Sequence, residues 1–295
     1  LHRPMKHAAG CIRQFFITTE RRAPMSLITI SYNLGTDGPR IARRVAEDLN
    51  LELYDDQKLQ EIGVEQGIQI EQVKKLHEKE PGFFDRLFSR KPEIYLTFMN
   101  SVVFSIAQTG RGVIVGHGSQ ILLQDFGCAM HVFIQKKEEA RIQNLMEHQG
   151  MSREAAIKSI KKSDSTQKGF FRFAYQQEWD NPSLYDIVLN TEKMGNKLAT
   201  KISVAAAQSE EMKECSLKAI DSMKRLSLAK KIEAELMKND LFVYNLNIEV
   251  LENGDVNITG TALTSERRER VLQVVKAIQG VSDVNMSLFI RSTSW

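Results

Sequence analysis

A short apolar strand that runs through a glycine turn into a helix is the feature that most constrains this chain. Residues 27–31 (LITIS) form a β-branched apolar run, residues 33–39 (NLGTDGP) carry two glycines and a proline, and residues 40–49 predict an amphipathic helix. In a parallel sheet this order brings unpaired backbone amides and the positive end of a helix to one point. From the residues alone, a phosphate-binding turn and a plain structural turn both remain open.

Three further apolar runs, at residues 112–115, 131–134 and 186–190, predict buried strands with helical sequence between them. Continuous apolar strands that alternate with helices indicate an α/β fold, with a parallel sheet covered by helices on both faces. The most charged helices are predicted over residues 136–148 and 152–175. The second is interpreted either as a solvated face or as a mobile lid over phosphates.

Composition argues against several classes of protein. The 295 residues are 42% apolar and 26% charged, which is typical of a folded protein, and the formal charge of +3 is small for a dedicated nucleic-acid binder. No apolar run approaches the roughly 20 residues that span a bilayer, and no C-x-x-C pair indicates a zinc site. We therefore expect a cytoplasmic protein with no nucleic-acid partner, no transmembrane segment and no protein-bound metal.

The N-terminal residues 1–24 are basic, and the chain opens on Leu1 with Met25 directly before the first strand. We interpret this leader as a disordered N-terminal extension or the product of a misassigned start, with a disordered functional tail as the alternative. The α/β domain is then expected over residues 25–210, followed by a linker at 211–222.

Residues 223–295 predict a second, smaller domain. The turn at Asn253-Gly254 between two alternating apolar runs is a strong hairpin signal. The predicted order is αββαβ, with helices over 223–238 and 265–278 and strands over 243–251, 256–260 and 283–290.

This C-terminal unit resembles the BON family. The resemblance rests on residues 254–260 (GDVNITG) and 280–285 (GVSDVN), whose glycines suit tight turns at strand ends. It implies a module that binds a small ligand or a phospholipid surface, and any membrane contact would be peripheral.

Three segments, in order, resemble the cytidylate-kinase-like family. They are residues 28–42 (ITISYNLGTDGPRIA) followed by Tyr54-Asp55, residues 113–118 (VIVGHG) and residues 179–191 (WDNPSLYDIVLNT). The resemblance implies a P-loop NTPase-type sheet with a helical lid. It also implies a nucleotide-binding phosphotransferase that moves phosphate from ATP, with Mg²⁺, to a nucleoside monophosphate such as CMP. The sequence identifies no protein ligand for that metal.

The resemblance also implies a set of site residues. The donor phosphates would bind Gly35, Thr36, Asp37, Gly38, Pro39 and Arg40. The acceptor would face Asp55, His117 and Asp164, and the lid would present Lys161, Lys162, Lys168 and Arg172. Arg40, Lys162 and Lys168 are the expected catalytic residues, because phosphoryl transfer needs positioning and positive charge around the transferred group.

The proposed phosphate loop departs from the standard pattern G-x-x-x-x-G-K-[ST]. Gly38 and Pro39 stand where that pattern has its lysine and its metal-binding hydroxyl. Asp37 adds a negative charge where the family prefers glycine, and His117 replaces an arginine. Retained phosphoryl transfer, nucleotide binding without turnover as a sensor, and a pure scaffold are therefore all open.

Other candidates have simple structural interpretations. His77, His131 and His148 lack neighbouring metal ligands and are expected to be surface or packing residues. The phenylalanines at 83–84, 170–171 and 173 either stack a base or pack in the core. Trp179 is expected to pack, with a hinge role as the alternative.

Overall fold

The computed structural model describes residues 26–65, 92–213 and 217–290. Its main sheet is entirely parallel and has the strand order β2-β3-β1-β4-β5. The strands are β1 (Ser26–Tyr32), β2 (Leu53–Tyr54), β3 (Arg111–Val115), β4 (Ala129–Gln135) and β5 (Ile187–Asn190). The predicted α/β class is confirmed, and four strands lie at the four apolar runs. The pattern missed β2, because two residues are too short to show a period.

Helices connect the strands. They are α1 (Gly38–Leu49), α2 (Asp56–Glu65), α3 (Pro92–Ala107), α4 (Ser119–Leu122), α5 (Glu138–Gln149), α6 (Arg153–Tyr175), α7 (Thr191–Ala207), α8 (Glu210–Lys213), α9 (Leu217–Lys238) and α10 (Ser265–Lys276). Local sequence fixes several ends. Ser152 caps α6 by accepting from the Ala155 amide, Asn190 caps α7 in the same way, and Gly150 ends α5 with φ +65°.

Apolar side chains cover both faces of the main sheet. Ile28 and Ile30 point to one face, where the buried stripe of α1 packs beside α7. Leu27, Ile114 and Phe133 point to the other face, against α3 and the end of α6. Because both faces are buried, the strands read as continuous apolar runs, and the carboxyl ends of the strands are left to form the crevice where α/β proteins bind ligands.

A second sheet lies at the C-terminus, with the order β6-β7-β8. Its strands are β6 (Tyr244–Val250), β7 (Val256–Ala262) and β8 (Val284–Ile290), with β6 antiparallel and β8 parallel to β7. α9 and α10 cover one face. The predicted αββαβ order is confirmed, and Gly254, Gly260 and Gly280 all have positive φ.

The helix α9 begins before the predicted domain boundary and contributes to two cores. Met223 is buried with side chains of the main-sheet core, and α9 packs along α3. Ile232 and Leu236 are buried in the core of the second sheet. One helix therefore runs through the predicted boundary between residues 222 and 223 and contributes to the cores of both sheets.

None of the helices in the described ranges is long and apolar enough to cross a membrane. The predictions for residues 1–24, His77 and Phe83-Phe84 lie outside the described residues.

Candidate active site

The turn between β1 and α1 requires its glycines. A Cβ on Gly38 would lie 2.2 Å from Cγ of Tyr32, and a Cβ on Gly35, whose φ is +87°, would lie 2.8 Å from the carbonyl oxygen of Arg141. The Thr36 hydroxyl is buried and donates to the Asn33 carbonyl at 2.7 Å. The turn is therefore tightly folded, and the Thr36 hydroxyl forms a hydrogen bond within the turn itself.

Backbone amides at this turn are available to a ligand. Within the described residues, the amides of Gly35, Asp37 and Gly38 have no hydrogen-bond partner. They stand at the N-terminus of α1, where the helix dipole also favours negative charge. The turn therefore has the unpaired donors that an anion-binding turn requires, although the lysine is missing.

The Asp37 carboxylate is held by three surrounding elements. Asp37 adopts φ +59° at the start of α1, and its Oδ2 lies 3.4 Å from Nζ of Lys136, at the end of β4. The side-chain amides of Asn144 of α5 and Asn196 of α7 also act on this carboxylate. Burial alone would raise the pKa of this carboxyl, but these donors and the Lys136 charge outweigh it and hold the pKa below 3.8. Lys136 therefore places a positive charge at the turn. The spacing of residues along the chain could not reveal this role.

Arg40, the predicted phosphate-binding arginine, is exposed and lines a groove between α1 and α7. Pro39 precedes it in the first turn of α1, where proline is favourable. Arg40 therefore lines this outer groove as well as following the glycine turn.

The helix α6 is tied to the glycine turn through Arg141 of α5. Arg141 is 5% exposed, donates through Nε to the Leu34 carbonyl at 2.7 Å, and forms two hydrogen bonds to the Asp164 carboxylate at 2.9 and 2.7 Å. Asn144 adds a hydrogen bond to the Gly35 carbonyl at 3.0 Å. Asp164, predicted to face the acceptor, is therefore engaged by Arg141. The sequence did not point to Arg141, because an arginine on a charged helix is not distinctive by itself.

The predicted lid cations fall into two pairs. Lys168 and Arg172 both contact Glu178, with Nζ at 3.9 Å and Nη2 at 2.6 Å from its carboxylate. Lys161 and Lys162 are exposed, and no ion pair involves them in the part of the chain that the structure describes. The first two cations are already paired, while the other two are open to solvent.

The predicted acceptor loop is a run of three residues with positive φ. Gly116, His117 and Gly118 have φ of +70°, +58° and +74°, a conformation that is strained at His117. A Cβ on Gly118 would lie 2.5 Å from the ring of Tyr175, the last residue of α6. The end of the predicted lid helix thus packs against this loop.

His117 contacts a carboxylate that the sequence did not single out. Its Nε2 lies 2.6 Å from Oδ1 of Asp56, the first residue of α2. Desolvation acts to raise the pKa of Asp56, but the hydrogen bond and charge of His117 outweigh it and hold that pKa below the ordinary range. The neighbouring Asp55, which was predicted, instead caps α2 by accepting from the Lys58 amide at 3.1 Å.

Tyr32 connects the two halves of the site. Its ring packs against Gly38, and the charges of Asp56 and Asp55 reach its hydroxyl. Burial, with those two charges, raises the pKa of Tyr32 to about 12. The glycine turn follows β1, Asp56 follows β2 and His117 follows β3, so all three lie at the carboxyl ends of neighbouring parallel strands.

A buried polar network supports this edge of the sheet. Ser31 donates to Gln120 at 3.2 Å, Gln120 donates to the Tyr185 hydroxyl at 3.1 Å, and Tyr185 donates to the Trp179 carbonyl at 2.6 Å. Trp179 packs edge-on against Phe133 with ring centroids 5.4 Å apart. Trp179 is buried in the core of the main sheet, which confirms the packing interpretation.

The remaining candidates, His131 and three phenylalanines of α6, have clear positions in the structure. His131 is 6% exposed and its Nδ1 lies 2.8 Å from the Thr29 hydroxyl, across the β1–β4 pairing. Phe170 and Phe171 are buried in the core, whereas Phe173 is half exposed. Within the described ranges, no group of three or more His, Cys, Asp or Glu side chains could hold a metal ion.

The order of the parallel strands, the glycine turn before α1 and the helices on both faces define an α/β protein with a kinase-like P-loop fold. The profile of the Cytidylate kinase-like family matches residues 27–193. The chain belongs to the cytidylate kinase-like family.

Three similar proteins illustrate how distant the relationship is. Cytidylate kinases from Pyrobaculum calidifontis and Pyrobaculum islandicum are 22% and 23% identical over 181 residues, which are 61% of this chain and 91% of each relative. The crystal structure of an uncharacterized protein from Eubacterium ventriosum superposes with a TM-score of 0.51 over 63% of this chain and 99% of that chain, at 21% identity. The last likeness concerns the fold alone.

Proposed function

We propose that this chain is a phosphotransferase that moves a phosphoryl group from ATP to a nucleoside monophosphate-like acceptor. The observation that carries the proposal is that the glycine turn, with its unpaired amides, and the Asp56–His117 pair lie at the carboxyl ends of neighbouring parallel strands. Family membership and two distantly related cytidylate kinases support the same reaction class.

In this proposal the turn amides and Lys136 bind the donor phosphates, and His117 binds the acceptor phosphate. Asp56 orients the His117 ring through the 2.6 Å contact between its Oδ1 and Nε2 of His117. Lys161 and Lys162 are exposed on α6, from which they could close over the transferred group. These groups act by positioning and charge, which is most of what phosphoryl transfer requires.

Mg²⁺ would enter with ATP. The residues at the turn fit such an arrangement only partly, because the Thr36 hydroxyl is engaged by Asn33 and the Asp37 carboxylate by Lys136. The phosphates and waters would therefore supply most of the metal's ligands, as is common for Mg²⁺. Its charge would neutralise the phosphate oxygens.

A coupled assay with ATP and CMP tests the proposal. His117→Ala and Lys136→Ala should each lower kcat/KM by about a hundredfold, because each removes a hydrogen-bond donor that faces a phosphate in this proposal. Arg40→Ala tests the role predicted from sequence, and Arg153→Ala is a control on the exposed side of α6. No transfer to CMP or to any other nucleoside monophosphate would refute the proposal.

The second candidate is a nucleotide sensor without turnover, and the Asp37 contacts favour it. Asp37 places a carboxylate among Lys136, Asn144 and Asn196, where a phosphate would otherwise compete for the same donors. Asp37→Gly should then tighten ATP binding by about tenfold in calorimetry, since the repulsive charge is removed. Tight binding by the unmodified chain with no turnover would favour the sensor over the enzyme.

For residues 223–295 we propose a BON-type module that binds a small ligand or a phospholipid surface. The αββαβ order and the close packing of Gly254 against Gly280 and Ser282 support this assignment. Sedimentation with anionic and neutral liposomes, with and without residues 239–295, provides the test. Equal sedimentation of both chains would remove the membrane role.

A further inference from the structure

A basic groove lies on the outer side of the main sheet, between α1 and α7. The two helices pack side by side on the same sheet face, and the groove above their contact has a volume of about 740 Å³. Its floor includes Thr200, which is 4% exposed. This volume is within the range of pockets that bind small molecules.

The groove has more positive charge than its own acids neutralise. Both of its acids, Glu47 and Asp48, bind Arg44, at 3.2 and 3.0 Å. The remaining cations are Arg40, Arg43, Lys197 and Lys201. Among the described residues, none of these four takes part in an ion pair. Four cations that face one groove repel one another, and an anion between them would relieve that repulsion.

We propose that this groove is a second binding site, for a small, multiply phosphorylated effector, and that it adjoins the donor site at Pro39 and Arg40. Arginine recognises phosphate through paired donors, and lysine adds a compact charge. The two arginines lie on α1 and the two lysines on α7, so that only a ligand with several phosphate oxygens spans both helices. The proposal does not depend on phosphoryl transfer at the glycine turn.

The groove is linked to the glycine turn through Asn196. Asn196 lines the groove and is one of the side chains near Asp37 that lower the pKa of that carboxyl. It follows Gly195, whose φ of +66° and ψ of 174° interrupt α7 with a kink. An effector that moves Asn196 therefore changes how firmly Asp37 is held, and by linkage a nucleotide at the turn changes effector affinity equally.

Calorimetry of the full chain with inorganic triphosphate tests the site, alone and in saturating ATP with Mg²⁺. The variant Arg43→Ala/Lys201→Ala removes one cation from each helix, and both side chains are exposed. The control Arg268→Ala/Arg270→Ala removes the same charge from exposed positions of α10. The groove variant should bind triphosphate about tenfold more weakly or worse, and the control should bind like the unmodified chain.

Three results would overturn the proposal. The first is the absence of triphosphate binding to the unmodified chain, and the second is an equal change in both variants, which would indicate a nonspecific charge effect. The third is complete displacement of triphosphate by ATP, which would assign the probe to the donor site. If triphosphate binds as expected while phosphoryl transfer is absent, the effector site stands and the transferase proposal alone fails.

Discussion

Arg141 shows how one buried ion pair organises the residues around it. Its guanidinium donates to the Leu34 carbonyl of the glycine turn and to both oxygens of Asp164. A matched pair is present on the same two helices, since Arg153 of α6 binds both oxygens of Glu139 of α5 at 2.7 Å. The two pairs share their chemistry and differ in exposure, because Arg141 is buried and Arg153 is at the surface.

Arg141→Ala should therefore lower the free energy of unfolding by about 3 kcal/mol, because it leaves a carbonyl and a partly buried carboxylate without their donor. Arg153→Ala should change it little, since water replaces the lost contacts. Urea unfolding of the two variants provides the measurement. Equal destabilisation by both would contradict the role of burial.

Asp37 should make the free energy of unfolding depend on pH in the acidic range. Its pKa in the folded chain lies below the ordinary value of 3.8, so its contribution is present above that pH and is lost as the pH falls through the folded pKa. Asp37→Asn should lower the free energy of unfolding at about pH 6, and its difference from the unmodified chain should shrink at about pH 3. Urea unfolding at both pH values measures this. Asp125→Asn, at an exposed position, is the control, and a difference that does not change with pH would argue against the Asp37 contacts.

At the scale of elements, the junction of β1 and α1 depends on a close approach. Gly38 begins α1 directly against Tyr32, and the contact includes the Cβ of Tyr32 at 2.4 Å from an added methyl group. A Cβ cannot move without its backbone, so the clash cannot be relieved by rotating the ring. Tyr32 ends β1 beside the glycine turn, so a shift there would disturb the candidate site.

Gly38→Ala is expected to destabilise the chain by about 1 to 3 kcal/mol, through overpacking against Tyr32. Gly169→Ala in α6 meets nothing within 4 Å and should stabilise the chain by about 0.5 to 1 kcal/mol, because alanine favours a helix. Thermal unfolding followed by circular dichroism distinguishes the two signs. A neutral Gly38→Ala would mean that the junction is looser than its packing indicates.

At the scale of the whole molecule, α9 is the element that joins the two sheets. Its first half gives Met223 to the main core, and its second half gives Ile232 and Leu236 to the C-terminal core. We propose that the domain boundary falls inside this helix. A cut at residue 222 would remove Met223 from the core that it fills.

Met223→Ala should lower the stability of the main-sheet domain by about 2 to 4 kcal/mol, as expected for a large side chain truncated in a core. Leu226, on the same helix, is 39% exposed, and Leu226→Ala should cost less than about 1 kcal/mol. Urea unfolding followed by Trp179 fluorescence, in a Trp295→Phe background, reports on the main core. If Met223→Ala left this transition unchanged, α9 would belong to the C-terminal domain alone.

The sequence by itself determined the α/β class, four of the five parallel strands, the αββαβ order and the glycine turn. These follow from short-range patterns, because burial on both faces makes a strand apolar throughout and a hairpin fixes its own turn residues. It could not predict β2, whose two residues carry no period.

Only the tertiary structure decided which charges meet. Lys136, Asn144 and Asn196 lie far from Asp37 in sequence and come near it because the end of β4, the middle of α5 and the start of α7 surround the β1–α1 turn. Asp56 meets His117 across 61 positions, and Arg40 lies in the outer groove because of its place on the turn of α1. Hydrogen bonds and ion pairs act over a few ångströms, and the spacing of residues along a chain does not contain those distances.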